Sequence, residues 1–406
     1  MTTVFDKKEN CSGCGVCKTV CDENAVTMQQ DEYGFYYPKI NTERCVSCGK
    51  CRSHCHFINK SLSRNLFKDV FAVQSKDTEV LKKSQSGGLF VELAKSILNS
   101  GGAVYGAALN GLSEVCHIRI DSVNQLYKLQ GSKYAQSRTE DIFAAVKNDL
   151  DNNLQVLFSG TPCQIAALYS YLGQKNELLY TVDVVCHGVM AQTFWKNYLD
   201  YIKKKYGEIT HADFRDKSLG WEPHNETFII GADKKIVKNV YRKIFHKSIL
   251  LRPSCYSIKN DRYITACKYA GFSRVSDITM GDFWEFKNVT DLFEDESLGI
   301  SLCIINTQNG ISMFEKIKQN IIWERHNISE TLARQPHLSC SEEGVLIKDV
   351  EAARQMYVKR GFRYIASKYG ENGIRGIYPK GVRYMKHIRN IILNKMGFRT
   401  ERGEKQ

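Results

Sequence analysis

From about Asp69 onward, apolar runs alternate with amphipathic stretches in a rhythm that predicts strand and helix in turn. "DVFAVQS", "GGAVYGAAL", "EVCHIRI", "LQVLFSG" and "LLYTVDVVC" are short runs rich in β-branched and aromatic residues and read as strands. "GGLFVELAKSILNS", "TEDIFAAVKNDLD" and "CQIAALYSYLG" repeat their apolar residues at helical spacing. This alternation predicts an α/β layer with a largely parallel sheet, in which ligands sit at the carboxyl ends of strands. The first sixty residues break the rhythm. There, "AVTMQQDEYGFYYPKINTER" reads as a strand, a Gly turn and a second strand, and it lies between two cysteine-dense runs.

At 406 residues the chain exceeds what one core usually organises, which predicts two or three units. We expect a small module over 1–62, an α/β domain over 68–325 and a helical, basic region over 326–406. Hydrophobic and charged contents of 43% and 25% are those of an ordinary globular protein. No apolar stretch is long enough to span a bilayer, and "MTTVFDKKEN" lacks a basic start followed by an apolar core, so a cytoplasmic location is expected. The net charge of +13 suits nucleic acid, an anionic membrane surface or a phosphate-bearing cofactor, and does not choose among them. No nucleic-acid motif accompanies it, so no nucleic-acid partner is expected. Much of the excess falls after Arg375, where "KGVRYMKHIRNIILNKMGFR" alternates basic and apolar residues. That tail reads as a C-terminal helix packed on its own protein, with peripheral membrane or partner contact as the alternative.

"CSGCGVCKTVC" from Cys11 and "CVSCGKCRSHC" from Cys45 share one CxxCxxCxxxC spacing, an internal repeat. This is the bacterial two-cluster ferredoxin spacing, in which three thiolates wrap one [4Fe–4S] cluster and the fourth reaches the other. By that rule Cys11, Cys14, Cys17 and Cys55 hold one cluster, and Cys45, Cys48, Cys51 and Cys21 the second. Gly13, Gly15 and Gly49 allow the tight backbone path. Asp22 and His56 stand where proline usually follows the fourth cysteine, which alters the loop and not the ligands. Structural zinc is the competing reading, but four cysteines per run, given twice, fit it poorly.

Seven further cysteines are scattered. Cys163 begins a helix, where a thiolate is favoured, and Cys186 ends the next strand on the same sheet edge. Cys255 and Cys267 flank a later loop. Convergence of these four predicts a third cluster; a catalytic thiol at Cys163, or four unrelated buried cysteines, are the alternatives. Cys116, Cys303 and Cys340 read as core fillers, and His187 as either a site residue or a cap. Three small, polar loops have the character that lets backbone approach a phosphate: Ser86, Gly87 and Gly88 at a helix start, Ser132 and Lys133 in "QGSKYAQS", and Ser159, Gly160 and Thr161 at a strand end.

At "SGTPCQIAAL", "QGSKYAQS", "VVCHGV", "LRPSC", "RVSDITMGDFW" and "GISLCIINT" the chain resembles the coenzyme F420 hydrogenase/dehydrogenase beta-subunit family, in its bacterial form with a fused ferredoxin module. The resemblance runs from Cys11 to about Asn306. It implies an α+β ferredoxin-like module joined to an FAD-binding α/β domain, an iron–sulfur flavoprotein oxidoreductase. The family's additional cluster would fall on Cys163, Cys186, Cys255 and Cys267, and its phosphate-cradling roles on the three loops just named. One departure stands out. Family members usually read CxxC after "RPS", whereas here Ile258 occupies the expected ligand position and Cys267 follows after an inserted loop. A ferredoxin-type donor or partner redox enzyme and a small-molecule acceptor, including deazaflavin, are implied. The alternative is an electron-transfer subunit with no substrate site of its own. The acceptor and the direction of flow stay open, because iron–sulfur potentials span roughly −700 to +450 mV.

Overall fold

The strand, turn and strand expected between the cysteine runs form an antiparallel hairpin, β1 (Val26–Gln30) and β2 (Tyr36–Ile40), with Val26 opposite Ile40. Asp31 closes its turn by accepting hydrogen bonds from the Tyr33 and Phe35 amides, both at 3.0 Å. Each cysteine run bends through a left-handed glycine, Gly15 at φ 80° and Gly49 at φ 78°, into a four-residue helix: α1 (Val16–Thr19) and α2 (Lys50–Ser53). The internal repeat is thus a repeat of conformation. The computed structural model describes residues 3–371 except 59–61, 63, 219, 222–224, 260–262, 287–290, 294, 333–334, 336–337 and 339–344.

Beyond the module the chain runs β3 (Asp69–Ser75), α3 (Thr78–Lys83), α4 (Leu89–Leu98), β4 (Ala103–Asn110), β5 (Glu114–Ile120), α5 (Ile142–Asp151), β6 (Val156–Gly160), α6 (Pro162–Leu172) and β7 (Leu179–Val184). After α7 (Gln192–Tyr206) come β8 (Ile209–Asp216), β9 (Asn225–Ile230), β10 (Lys234–Lys238), α8 (Val240–His246), β11 (Tyr256–Lys259) and β12 (Tyr263–Ala266). The described chain closes with β13 (Ile278–Asp282), β14 (Ser301–Ile305), α9 (Gln308–Ile317), β15 (Ile321–Arg325) and α10 (Ile347–Ile365), which breaks at Gly361 with φ 71°.

Eight strands form one mixed sheet in the order β15–β3–β14–β13–β7–β6–β4–β5. The parallel order expected from the alternation holds at its centre, where β13, β7, β6 and β4 run together. Both flanks are antiparallel. On one flank the cause is local: β4 and β5 are joined by a short turn with Gly111 at φ 59°, and so short a link permits only antiparallel pairing. α4 and α9 bury Leu89, Leu93, Ile97, Met313 and Phe314 against one face of the sheet, and α5 and α6 bury Phe143, Val146, Ile165 and Leu168 against the other.

A second core lies beside this sheet. α7, α8, α10 and the three-stranded antiparallel sheet β8–β9–β10 surround a buried Trp195 that stacks on Phe214 with ring centroids 3.7 Å apart. Ala353, Tyr357, Phe362 and Ile365 of α10 are part of this core, so the start of the expected C-terminal region packs on the preceding domain. Its basic stretch after Arg375 lies outside the described residues, as does Cys340. No helix among the described residues is long and apolar enough to cross a membrane.

Candidate redox site

The first four-cysteine set gathers where the N-terminal module meets the body. The Cys17 thiol is pushed well up by burial and by repulsion from Cys14, Cys11, Cys55 and Cys51, and burial pushes Cys14 up to about 12. Thiolates so close in a dry setting would repel one another and gain from a cation between them, which suits an iron core. Val16 is 1% exposed and Cys14 packs beside it, in the same apolar cluster as Cys163 and Cys267 of the body. The first set is therefore the inner one.

The second set faces outward. Cys48 is exposed, Val46 beside it is 64% exposed, and a Cβ added to Gly49 would meet nothing within 4 Å. Cys51 is raised by burial together with Cys45 and Cys48, while Cys21 accepts from the Ala25 amide at 3.3 Å. Lys50 stands near Cys48 and Cys21 and pairs with Asp22.

The four scattered cysteines also come together. Cys186 is raised well above its ordinary value by burial, then by Cys255, Cys163 and Cys267; Cys255 is pushed up to about 12 and Cys163 to about 11 by the same causes. The elements explain the convergence. Cys163 opens α6 just past the carboxyl end of β6, and Cys186 follows the carboxyl end of β7, the neighbouring parallel strand. The inserted loop is a hairpin, β11 against β12, and its register sets Tyr256 opposite Ala266, so Cys255 and Cys267 flank one base of the ladder. Ile258 belongs to that ladder, opposite Ile264.

No three His, Cys, Asp or Glu side chains among the described residues are gathered as closely as one bare metal ion requires. Cys116 lies elsewhere, half-buried on β5 near Glu114 and Arg138 and not in a core; Cys303 lies at the centre of the sheet.

The three small loops have distinct surroundings. Ser86 donates to the Ile300 carbonyl at 2.8 Å, and a Cβ on Gly87 would fall 2.1 Å from the Val73 carbonyl, so this loop is pressed onto β3 and β14. Gly88, at φ 85°, opens α4 with no side-chain cap. A Cβ on Gly131 would meet Gln85, which brings the first loop beside the second. Lys133 donates to the carbonyls of Leu129 and Gln130, and burial lowers its pKa to about 7. The Ser159 carbonyl bonds His117 at 3.0 Å, and a Cβ on Gly160 would crowd Gln164 and His117. Thr161 lies 3.1 Å from the Cys163 sulfur, so the third loop serves the cysteine set as well.

Sequence reasoning missed a group of cations at this same edge. Arg215 forks onto Asp282 at 2.8 and 3.4 Å, where Trp221 also donates at 2.9 Å and stacks on Trp284. Lys217 donates to the carbonyls of Leu81, Ser84 and Ser86, and burial lowers its pKa to about 8. Arg242 is lowered by burial too, and His187, bonded to Gln335, is lowered to about 4 by burial and by His246. Buried cations whose charge is disfavoured form a lining that gains from an anion. Asp282 lies in the quoted "RVSDITMGDFW" and Arg215 in no quoted motif, and nothing in their spacing announces that they meet.

Arg252 was missed as well. It is 1% exposed and lies between the inner set and the body: Nε donates to the Cys11 carbonyl, Nη2 to the Tyr36 carbonyl and Nη1 to Gln136 Oε1, each at 2.9 Å, and Nη2 reaches the Cys11 sulfur at 3.7 Å. Three residues further on is Cys255, whose amide donates to the Arg252 carbonyl.

A cysteine-rich N-terminal module set against an α/β body, with thiols gathered on both sides of their boundary, defines an iron–sulfur electron-transfer protein. Residues 10–58 match a 4Fe-4S dicluster domain, and residues 154–331 match the C-terminal part of the coenzyme F420 hydrogenase/dehydrogenase beta subunit. The chain joins these two domains, as its motifs suggested. An uncharacterised protein of Methanocaldococcus jannaschii is 29% identical over 198 residues, which cover 42% of this chain and 54% of that one. One component of the Na(+)-translocating ferredoxin:NAD(+) oxidoreductase complex of Acetobacterium woodii is 42% identical over 45 residues, 11% of this chain and 12% of that one. The chain thus spans about half the length of the first of these curated relatives and much less of the second. A xenon-derivatised structure of the F420-reducing [NiFe] hydrogenase complex from Methanosarcina barkeri aligns with a TM-score of 0.44 at 14% identity, over 74% of this chain and 90% of that chain.

Proposed function

We propose that the protein is an iron–sulfur flavoprotein oxidoreductase in which electrons pass between the N-terminal clusters and an FAD held at the carboxyl edge of the central sheet. The observation that carries the reading is the convergence of Cys163, Cys186, Cys255 and Cys267 beside the inner cysteine set. In this reading Cys11, Cys14, Cys17 and Cys55 hold the inner cluster, Cys21, Cys45, Cys48 and Cys51 the outer, and the four body cysteines a third. FAD, when bound, accepts or gives a hydride as two electrons and exchanges them singly with clusters. The residues suited to its phosphates are Ser86, Gly87, Gly88, Ser132, Lys133, Ser159, Gly160 and Thr161. The buried cations Lys133, Lys217 and Arg242 support an anion there, because burial disfavours their charge and a phosphate would restore it. His117 and His187 are held neutral by burial, and Asp282 holds Arg215 in place.

The module's domain, 1–62, then takes electrons from a ferredoxin-type donor or partner enzyme, and the domain at 68–325 hands them to an organic acceptor or a deazaflavin. A second reading, delivery to a separate catalytic partner without a substrate site of its own, is favoured by the exposure of Cys48 and Val46. Turnover of a small acceptor by the isolated chain separates the two readings. Iron, sulfide and flavin assays on anaerobically purified protein test the cofactors. Cys163→Ser and Cys267→Ser should each lose about four irons, whereas Cys116→Ser should lose none. Full iron in all of the body-cysteine variants removes the third cluster, and zinc in place of iron removes the electron-transfer reading.

A further inference from the structure

A buried guanidinium ordinarily has a carboxylate beside it, because an unpaired charge out of water is costly. Arg252 does not follow this pattern. Its hydrogen bonds among the described residues run to the carbonyls of Cys11 and Tyr36, to the Gln136 amide oxygen and to the Cys11 sulfur, none of which carries a formal charge in the thiol form. The guanidinium lies over the Tyr37 ring at 4.3 Å and 5.5 Å from the Phe35 ring, neutral partners both, and cysteines stand on either side of it: Cys11 on the module, Cys255 and Cys163 on the body, all three of whose thiols feel its charge. The packing leaves little freedom. A Cβ added to Gly13 would fall 2.5 Å from Gln136 Nε2 and 2.9 Å from Arg252 Cζ, and Gln136 in turn donates to the Ser12 carbonyl at 3.0 Å.

We propose that Arg252 is a positioning residue for electron transfer, whose fixed positive charge takes the inner cluster's thiolates as its counter-ion and raises that cluster's reduction potential above that of the outer one. Adding an electron to an anionic cluster raises its negative charge, so a cation a few ångströms from a ligand sulfur stabilises the reduced form, and weakly screened surroundings strengthen the effect. Among the described residues the outer set has no equivalent. Lys50 is exposed and paired with Asp22, and Arg52 is bonded to the Val4 carbonyl and Asp6. Water and those carboxylates screen them. The gradient therefore runs inward, from the exposed set to the buried one, and favours the flow of electrons from the surface toward the body.

This inference rests on the two N-terminal clusters of the proposed function, and its test keeps the two apart. Iron content and anaerobic redox titration followed by electron paramagnetic resonance are measured on the full chain and on Arg252→Gln and Arg252→Lys. Wild-type protein without iron in the module overturns the cluster reading itself. With iron present, Arg252→Gln is expected to lower the reduced-to-oxidised ratio of the inner cluster about tenfold at a fixed poise, 59 mV for one electron, and to leave the outer cluster unmoved. Arg252→Lys, which keeps the charge without the fork, is expected to recover most of that shift. Unmoved potentials, or a lysine variant as low as the glutamine one, overturn the proposal. Should Arg252→Gln lose its iron, wild-type protein labelled with 15N-arginine decides: pulsed resonance should find an arginine nitrogen coupled to the reduced inner cluster, and no coupling overturns the proposal.

Discussion

At the scale of single residues, the groups to which the proposed function assigns the chemistry are of two kinds. The cysteines of the module are close in sequence, so their spacing alone signals ligation. Arg252, Gln136, Arg215 and Lys217 act through neighbours far along the chain, and a long-range meeting such as Arg252 with Cys11 leaves no trace in local spacing. Lys133 lies between these cases, since its loop was legible but its environment was not. Burial holds it largely as the neutral amine at pH 8, with a pKa of about 7 against an ordinary 10.5. A phosphate brought to that amine favours the ammonium. Flavin binding to flavin-free protein at pH 8 should therefore take up about one proton and strengthen as pH falls toward 7. Calorimetry in two buffers of different ionisation heat measures the uptake, and Lys133→Met should remove most of it, leaving the smaller share of Lys217, whose pKa burial lowers to about 8.

At the scale of elements, the local grammar of the chain was a good guide wherever one element is enough to bury its own apolar face. The helices of the α4 and α6 type and the β1–β2 hairpin lie where periodicity and the Gly turn put them. The order of strands was only partly legible, because the antiparallel flanks depend on which edge a strand joins. The β11–β12 hairpin was read as an insertion; what the sequence does not display is the register that returns Cys267 to Cys255. The module's hairpin tip also carries a contact that no pattern signals. Gly34, at φ 86°, is packed so tightly on α7 that a Cβ there would fall 1.8 Å from Thr193 Oγ1. Gly34→Ala combines left-handed strain with overpacking, roughly 2–4 kcal/mol together. We expect a lower melting temperature and faster proteolytic release of the module, with its own iron retained; unchanged melting would show that the tip is free to move away from α7.

At the scale of the whole molecule, the cysteine sets form a series from surface to interior: Cys48 exposed, Cys14 half-buried against the body, and Cys163 and Cys267 packed on the same apolar cluster. In the proposed function electrons enter at the exposed set. Cys48→Ser should slow reduction by an external protein donor by an order of magnitude or more, while reduction of a bound flavin by light should proceed at the wild-type rate. Equal slowing of both would place the entrance elsewhere. The docking of module on body, made by pairs such as Thr139 with the Cys14 carbonyl and Ser170 with the His54 carbonyl, could not be read from either half alone.

The position of β3 has a consequence for how the molecule is made. This first strand of the large sheet is held between β14 and β15, the last two to be synthesised. Until the ribosome has delivered them, β3 has no partner on either side, and this flank of the sheet stays open. The cysteine runs emerge long before that. The groups that bury the inner set, among them Gln136, Thr139, Arg252 and Tyr269, are also made before those strands, so the inner set can be loaded with iron and sulfide and enclosed while the far flank of the sheet is still open.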